Sequence, residues 1–319
     1  MAPTTRWVGI DEAGYGPNLG PLVMTSVTAE GPTDHPPDLW ADLAATVSRA
    51  GGPKDRLWVD DSKLVYKARK GRERLDAATL ACLDAAGLGT PRTLGSLLEA
   101  VGAGSLSGVE LAPWLDGADP PYPSSWDVVA PALHRRPLDG APWRLVAVRS
   151  VVVGPCLFNE GLDALGSKAL VHFSAFARLL EATWDRLADA SWTSVRSDKH
   201  GGRNFYGDLL RQAFPAARVR PGPEGPDLSR YDLFASGRSL TLDLIPRADA
   251  HDGLVALASL VSKSIREHAM DAFNAHWLAR IPGLKPTAGY PGDAVRFRAA
   301  IEPHCLERGL GPSEWWRAK

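Results

Sequence analysis

The densest group of chemistry-bearing residues in the chain is Gly9-Ile10-Asp11-Glu12-Ala13-Gly14-Tyr15-Gly16-Pro17. Two adjacent carboxylates close a short apolar run, and a turn with two glycines follows directly. Adjacent carboxylates repel one another, and ending a core strand in both is costly unless a cation or a partner compensates. On a regular strand neighbouring side chains point to opposite faces, so joint binding of one metal ion requires the strand to distort at its end. The glycines supply that freedom and let a ligand approach the backbone closely. From these residues alone, a ligand site and a solvated strand end with an ordinary turn both stand open. A dinucleotide-binding turn is a poor match. The spacing Gly14-x-Gly16-x-x-x-Gly20 misses the G-x-G-x-x-G register, Pro17 interrupts it, and no helix opens after it.

Other carboxylates sit at predicted element ends. Asp198 closes a short strand candidate at 193–196. Asp243, Asp249 and Asp252 compete within ten residues for a similar place. Asp243 lies inside the alternation of Leu242 and Leu244, which predicts a solvent-facing side chain. Asp252 stands just before Gly253 and a helical stripe, the usual position of a helix N-cap. Asp249 falls in the loop between them, from which a carboxylate can be aimed at the sheet end shared with Asp11. The basic run Lys63, Lys67, Arg69, Lys70, Arg72 and Arg74 reads either as a solvated helix face or as a track for phosphates. Lys199 and Arg203 could likewise meet a phosphate, whereas His200 alone reads as structural. Trp315 and Trp316 read as packing residues.

These residues need a scaffold, and the apolar pattern outlines one. Residues 7–10 and 22–24 predict two strands joined by a loop, and the β-branched run 144–153 predicts another. Helical spacing marks 60–84 (with Leu75, Leu80 and Leu83 inward), 161–188 and 205–214. Leu254, Leu257, Ala258, Val261 and Ile265 recur at i, i+3, i+4 and i+7, predicting one long helix to about Trp277. Residues 221–226 read as a loop before a strand at 239–245. Repeated Pro, Gly and Asp turns over 87–141 predict a peripheral insertion with little regular structure. The whole, 1–319, reads as a single α/β domain: a central sheet with helices packed against it.

Composition excludes several alternatives. With 45% hydrophobic and 23% charged residues, the chain is not a disordered one. No apolar run approaches the roughly 18–20 residues of a membrane span, so no membrane partner is expected. Residues 1–7 lack the order of a signal peptide, and Cys82, Cys156 and Cys305 form no CxxC pair, which predicts a cytoplasmic protein without a disulfide framework or structural zinc. A net charge of −1 neither demands nor forbids a nucleic-acid partner.

The segment GIDEAGYGPNLGPLV resembles the opening of type 2 ribonucleases H (ribonuclease HII and HIII), whose first strand carries Asp-Glu-Ala-Gly-x-Gly. Five more motifs follow in that family's order: Asp61-Ser62-Lys63-Leu64, Phe158-Asn159, Ser197-Asp198-Lys199, Ala248-Asp249-Ala250 ahead of VALASLVSKSIRE, and Gly289-Tyr290-Pro291. The resemblance covers most of the chain outside 87–141. It implies an RNase H-like fold, a central mixed β-sheet flanked by helices. It also implies a catalytic site in which Asp11, Glu12, Asp198 and Asp249 hold two Mg²⁺ or Mn²⁺ ions. Hard cations about 4 Å apart suit phosphodiester hydrolysis and prefer such oxygen ligands.

Substrate contacts implied by the same motifs are Gly14, Tyr15, Gly16, Ser62, Lys63, Lys199, Arg203 and Tyr290, on an RNA–DNA hybrid bound by a monomer. The chain departs from the family in two places. Tyr15 stands where a basic residue is common between the two glycines, and the glycine expected directly after Asp198 comes only at Gly201. The implied activity is metal-dependent cleavage of the RNA strand to 5′-phosphate and 3′-hydroxyl ends. The alternatives are a nuclease of another structured nucleic acid and a catalytically weak binding protein of the same fold.

Overall fold

A computed structural model describes residues 4–104, 119–186, 192–235 and 237–318. β1 (Thr4–Ala13) and β2 (Leu22–Pro32) pair antiparallel across the glycine turn, with Asp11 opposite Thr25 and Glu12 opposite Met24. A linker follows with α1 (Leu39–Asp42) and a two-stranded parallel ribbon, β3 (Val47–Ser48) and β4 (Leu57–Trp58). The basic segment is two helices, α2 (Ser62–Lys67) and α3 (Gly71–Ala85), because Lys70 adopts a left-handed φ of 59° between them. Next come α4 (Leu94–Ala100), α5 (Trp126–Leu133) and β5 (Arg144–Val153). The helical pattern expected over 161–188 is α6 (Pro155–Leu165) and α7 (Lys168–Trp184), broken where left-handed Gly166 ends one helix and Ser167 caps the next. The end of that expected span, 187–188, lies outside the described residues. The chain continues with β6 (Trp192–Asp198), α8 (Gly207–Ala213), β7 (Arg218–Glu224), β8 (Ser229–Ala235), β9 (Arg238–Ile245), α9 (Gly253–Leu278) and α10 (Pro291–Glu307).

Seven strands form one mixed sheet in the order β5-β2-β1-β6-β9-β8-β7, with β1–β6 and β6–β9 parallel and the other pairs antiparallel. This is the mixed, helix-flanked α/β architecture expected. Alternation sends Val8, Ile10, Val195 and Leu242 to the face covered by α7. The opposite face, through Val23, Val27 and Val148, meets α9 and α3. Packing α9 there requires glycine at position 9, since a Cβ on Gly9 would overlap the backbone of Leu254 and Val255.

Two expectations need correction. Residues 221–226 are not simply a loop: 218–224 pair with β8 as an edge strand. Pro221 and Pro223 are tolerated there because an edge strand need not donate on both sides, and the register shifts beside Pro221. The 87–141 segment also carries more regular structure than its turns suggested. Leu94 and Leu97 of α4 and Val129 and Leu133 of α5 are buried in the same core as α9. Its residues 105–118 lie outside the described ones. Among the described residues, no helix is long and apolar enough to cross a membrane.

Candidate active site

β1 is regular through Ala13, so its final residues diverge as strand geometry requires. Asp11 turns toward α9, is 8% exposed, and hydrogen-bonds Ser259. The Ser259 Oγ also lies within hydrogen-bonding distance of the Ser62 Oγ, at 3.0 Å, tying the Asp-Ser-Lys element to the same helix. Ser262, one turn on, donates to the Asp11 backbone carbonyl at 3.0 Å. Burial pushes the Asp11 carboxyl well above its ordinary value, and Glu12, Asp249 and Asp198 push it further against the opposing Ser259 bond.

Asp198 ends β6 on the α9 side, where its Oδ1 accepts the backbone N–H groups of Lys199 and Arg247, both at 2.8 Å. Burial still raises its pKa against those bonds, with Glu12 adding to the rise. Asp249 stands in the 3₁₀ turn Ala248–Ala250 ahead of α9. Burial, then the charges of Asp61 and Asp198, carry its carboxyl up to about 6, while Lys63 draws it down. Asp11, Asp198 and Asp249 thus share one electrostatic neighbourhood at the end of the central strands.

Glu12 points to the other face. Its Oε2 lies 3.5 Å from Nε2 of the buried His172 on α7. Burial alone would raise Glu12, but the bond and charge of His172 outweigh it and leave the carboxyl below its ordinary value. His172 is stacked edge-on with Tyr15 at 4.8 Å and with His200 at 4.5 Å. Burial, then the charges of His172 and Arg203, drive His200 well below the ordinary histidine range, which makes it a neutral packing residue. Among the described residues, no three His, Cys, Asp or Glu side chains close around a single ion-sized point.

The glycine turn is held from the far end of the chain. Arg317, 1% exposed, donates to the carbonyls of Gly14 (2.6 Å) and Tyr15 (3.0 Å), and its guanidinium lies 4.2 Å from the Phe158 ring centre. Burial, with the neighbouring Arg266, lowers its pKa to about 9. Arg266 packs directly under Gly14, whose φ of 91° and lack of a Cβ both suit glycine. Tyr290 lies near Gly16 and 5.7 Å under the Arg266 cation, because Gly289 accepts the N–H groups of Asn18 and Leu19.

Of the other predicted contacts, Lys63 acts electrostatically on Glu12 and Asp249, and Arg203 on Tyr15. Lys199 is not brought to the carboxylates: its Nζ is spent on Asn204, Gly225 and Ser229. Asp252 caps α9, accepting from Leu254 and Val255, and pairs with Arg196 at 3.0 Å. Asp243 does not face solvent as expected: it is 6% exposed, clasped by Arg230 of β8 at 2.6 and 2.7 Å. Sequence reasoning missed His172, hidden in an apolar helical stripe, and Arg317, which no motif announces.

The chain is 30% identical over 176 residues to a ribonuclease HII of Mesorhizobium japonicum, covering 53% of this chain and 69% of that protein. The chain belongs to the type 2 ribonuclease H family. It is therefore a hydrolase, an endoribonuclease of the ribonuclease H type. No family model matches it. Among solved structures, the ribonuclease H2 of Pyrococcus horikoshii aligns over 97% of this chain and 92% of its own, at 13% identity and a TM-score of 0.43. The ribonuclease HII of Archaeoglobus fulgidus, solved in a complex with PCNA, aligns over 98% and 94%, at 15% identity and a TM-score of 0.44. Bst-RNase HIII in complex with Mn²⁺ aligns over 99% of this chain and 67% of its own, at 16% identity and a TM-score of 0.42. The family assignment rests on the Mesorhizobium relative.

Proposed function

We propose that this type 2 ribonuclease H is a metal-dependent endonuclease cutting the RNA strand of RNA–DNA hybrids, with Asp11, Glu12, Asp198 and Asp249 as its catalytic carboxylates. The observation that carries this reading is Asp11, buried and driven toward protonation by burial and three neighbouring carboxylates. A divalent cation reverses that pressure, and an all-carboxylate donor set suits hard ions such as Mg²⁺ or Mn²⁺. When bound as a pair, such ions make a water nucleophilic and stabilise charge developing on the phosphate and the leaving oxygen.

The chain's own residues do the rest. Ser259 orients Asp11, and two backbone N–H groups orient Asp198. Lys63 offers positive charge beside Asp249, where the scissile phosphate would enter. Arg317 fixes the Gly14–Gly16 turn, whose backbone would meet the ribose 2′-hydroxyl, with Tyr15 and Tyr290 flanking it. Attack of water at phosphorus leaves 3′-hydroxyl and 5′-phosphate ends. In this reading 1–319 is one domain working as a monomer, with α4 and α5 part of its core.

The test is a panel of labelled RNA–DNA hybrid, double-stranded RNA, DNA duplex and DNA carrying one ribonucleotide, each with Mg²⁺, Mn²⁺ or EDTA. Cutting of the hybrid's RNA strand with either metal, and none in EDTA, is expected. Cleavage that persists in EDTA, or a hybrid left intact, overturns the proposal.

A further inference from the structure

Away from the carboxylates, a cleft of about 480 Å³ opens between β4, the start of α3 and α5. Its rim carries Lys54, Arg56, Arg69, Lys70, Arg74 and Arg135 against one carboxylate, Glu73. Among the described residues, none of these six cations makes an ion pair within 4.0 Å. The Arg74 guanidinium lies 3.5 Å over the Trp58 ring, and its Nε donates to the Arg69 carbonyl, which holds the rim in shape. The floor is apolar, with Leu57 and Ala77 buried at its base and the exposed Val128 and Pro131 forming an apolar wall.

Six like charges around one hollow repel each other, and an anionic occupant relieves that repulsion. The apolar floor narrows the choice of anion. The outer surface of a duplex is convex with its bases hidden, so it would use the rim and leave the floor bare. A nucleoside phosphate uses both, its phosphate on the cations and its base on the floor.

Position agrees with this. Arg56 stands five residues before Asp61, and Arg69 two residues after Lys67, so the six-residue α2, about 9 Å long, links the carboxylate site to the cleft. We infer that this cleft binds a nucleoside phosphate, either an unpaired nucleotide of a strand running past the active site or a free mononucleotide. The strand source rests on the hybrid-cleaving reading above; the mononucleotide source does not.

Binding can be read by fluorescence anisotropy, with Asp11→Asn as the background to block cleavage. The probes are a blunt RNA–DNA hybrid and the same hybrid with a four-nucleotide single-stranded overhang. The overhang is expected to tighten binding about tenfold, the scale of one stacked and charge-held base. Arg56→Glu with Arg135→Glu should erase that gain while leaving the blunt hybrid within about twofold. Val128→Ser should weaken it too, by removing apolar contact from the wall while leaving every rim charge in place. In the unlabelled protein, AMP should bind more tightly than inorganic phosphate, and the double variant should lose both.

Equal affinity for blunt and overhanging hybrids together with no AMP binding overturns the inference. So does a gain that survives both variants, or inorganic phosphate binding as well as AMP. If the wild-type protein cuts no hybrid at all, the functional reading fails, while the AMP titration still decides the cleft.

Discussion

The two faces of β1 treat chemically similar neighbours in opposite ways. On the α9 face, Asp11 is buried beside Asp198 and Asp249 with one hydroxyl donor, and its carboxyl is pushed up. On the α7 face, Glu12 meets His172, and its carboxyl is drawn down. One residue of register separates a carboxylate crowded by other carboxylates from one that already has an imidazole partner within the fold. On the proposed reading the Asp11 face relies on an ion from outside, whereas Glu12, set against the Tyr15, His172 and His200 stack, also has partners within the fold.

The hardest test of that contrast is Asp11→Asn. It is expected to lower hybrid cleavage at least about a hundredfold, the scale seen when charge stabilisation at a reacting centre is removed. Hybrid binding and folding should stay nearly intact. Without metal the two faces should also differ in stability. A raised folded pKa contributes stability that is present below the ordinary 3.8 and lost as pH rises through the folded value, so in EDTA at pH 7 Asp11→Asn should melt above wild type. A lowered folded pKa works the other way: its contribution is present above the ordinary 4.5 and lost as pH falls. Glu12→Gln should therefore melt below wild type at pH 7, with the gap closing in acid. Differential scanning calorimetry across pH 3–8 reads both, and a shared direction of shift would dissolve the contrast.

Asp249 and Asp252 sharpen it within one loop. Asp249→Ala should reduce metal-dependent turnover about as much as Asp11→Asn, with little change in melting temperature. Asp252→Ala should do the reverse, costing about 1–2 kcal/mol as a lost cap and a shift of a few degrees. Mn²⁺ soaked into crystals and found on Asp252 instead of Asp249 would reverse the assignment.

Gly9→Ala probes the packing beneath both faces. Its methyl meets α9 backbone, which cannot rotate away, so a loss of about 1–3 kcal/mol is expected in chemical denaturation. An unchanged midpoint would mean that α9 can retreat from β1.

The smallest effect is expected from Tyr15→Arg. A basic residue there is common in the family, which predicts sharper recognition of a lone ribonucleotide within DNA. Lys168 already stands 4.5 Å over the Tyr15 ring, so a cation is present and the gain should be a few-fold at most. Comparing kcat/KM on single-ribonucleotide and all-RNA hybrids measures it, and a lower preference in the variant would remove position 15 from 2′-hydroxyl recognition.

Much of the scaffold was legible because it is local. The short apolar runs of β1 and β2, the β-branched run over 144–153 and the i, i+3, i+4 stripe of α9 each announce their own element. The helix break at Gly166 and the cap at Asp252 are local chemistry too, although only the cap was read. The α4 and α5 segment was misjudged because its turn residues are visible in sequence while its burial depends on partners far along the chain. Edge strand β7 was hidden by its prolines, which an interior strand would forbid and an edge tolerates.

At the candidate site, residue types and order by themselves determined the family, the carboxylates to examine and the period-two rule that parts Asp11 from Glu12. Only the tertiary structure decided what each one meets. Ser259 and Asp249 reach Asp11 across more than two hundred residues, His172 reaches Glu12 from another helix, and Arg317 grips a turn some three hundred residues away. Ionisation depends on burial and on charges a few ångströms distant, and such neighbours are set by the path of the whole chain, which no local pattern encodes.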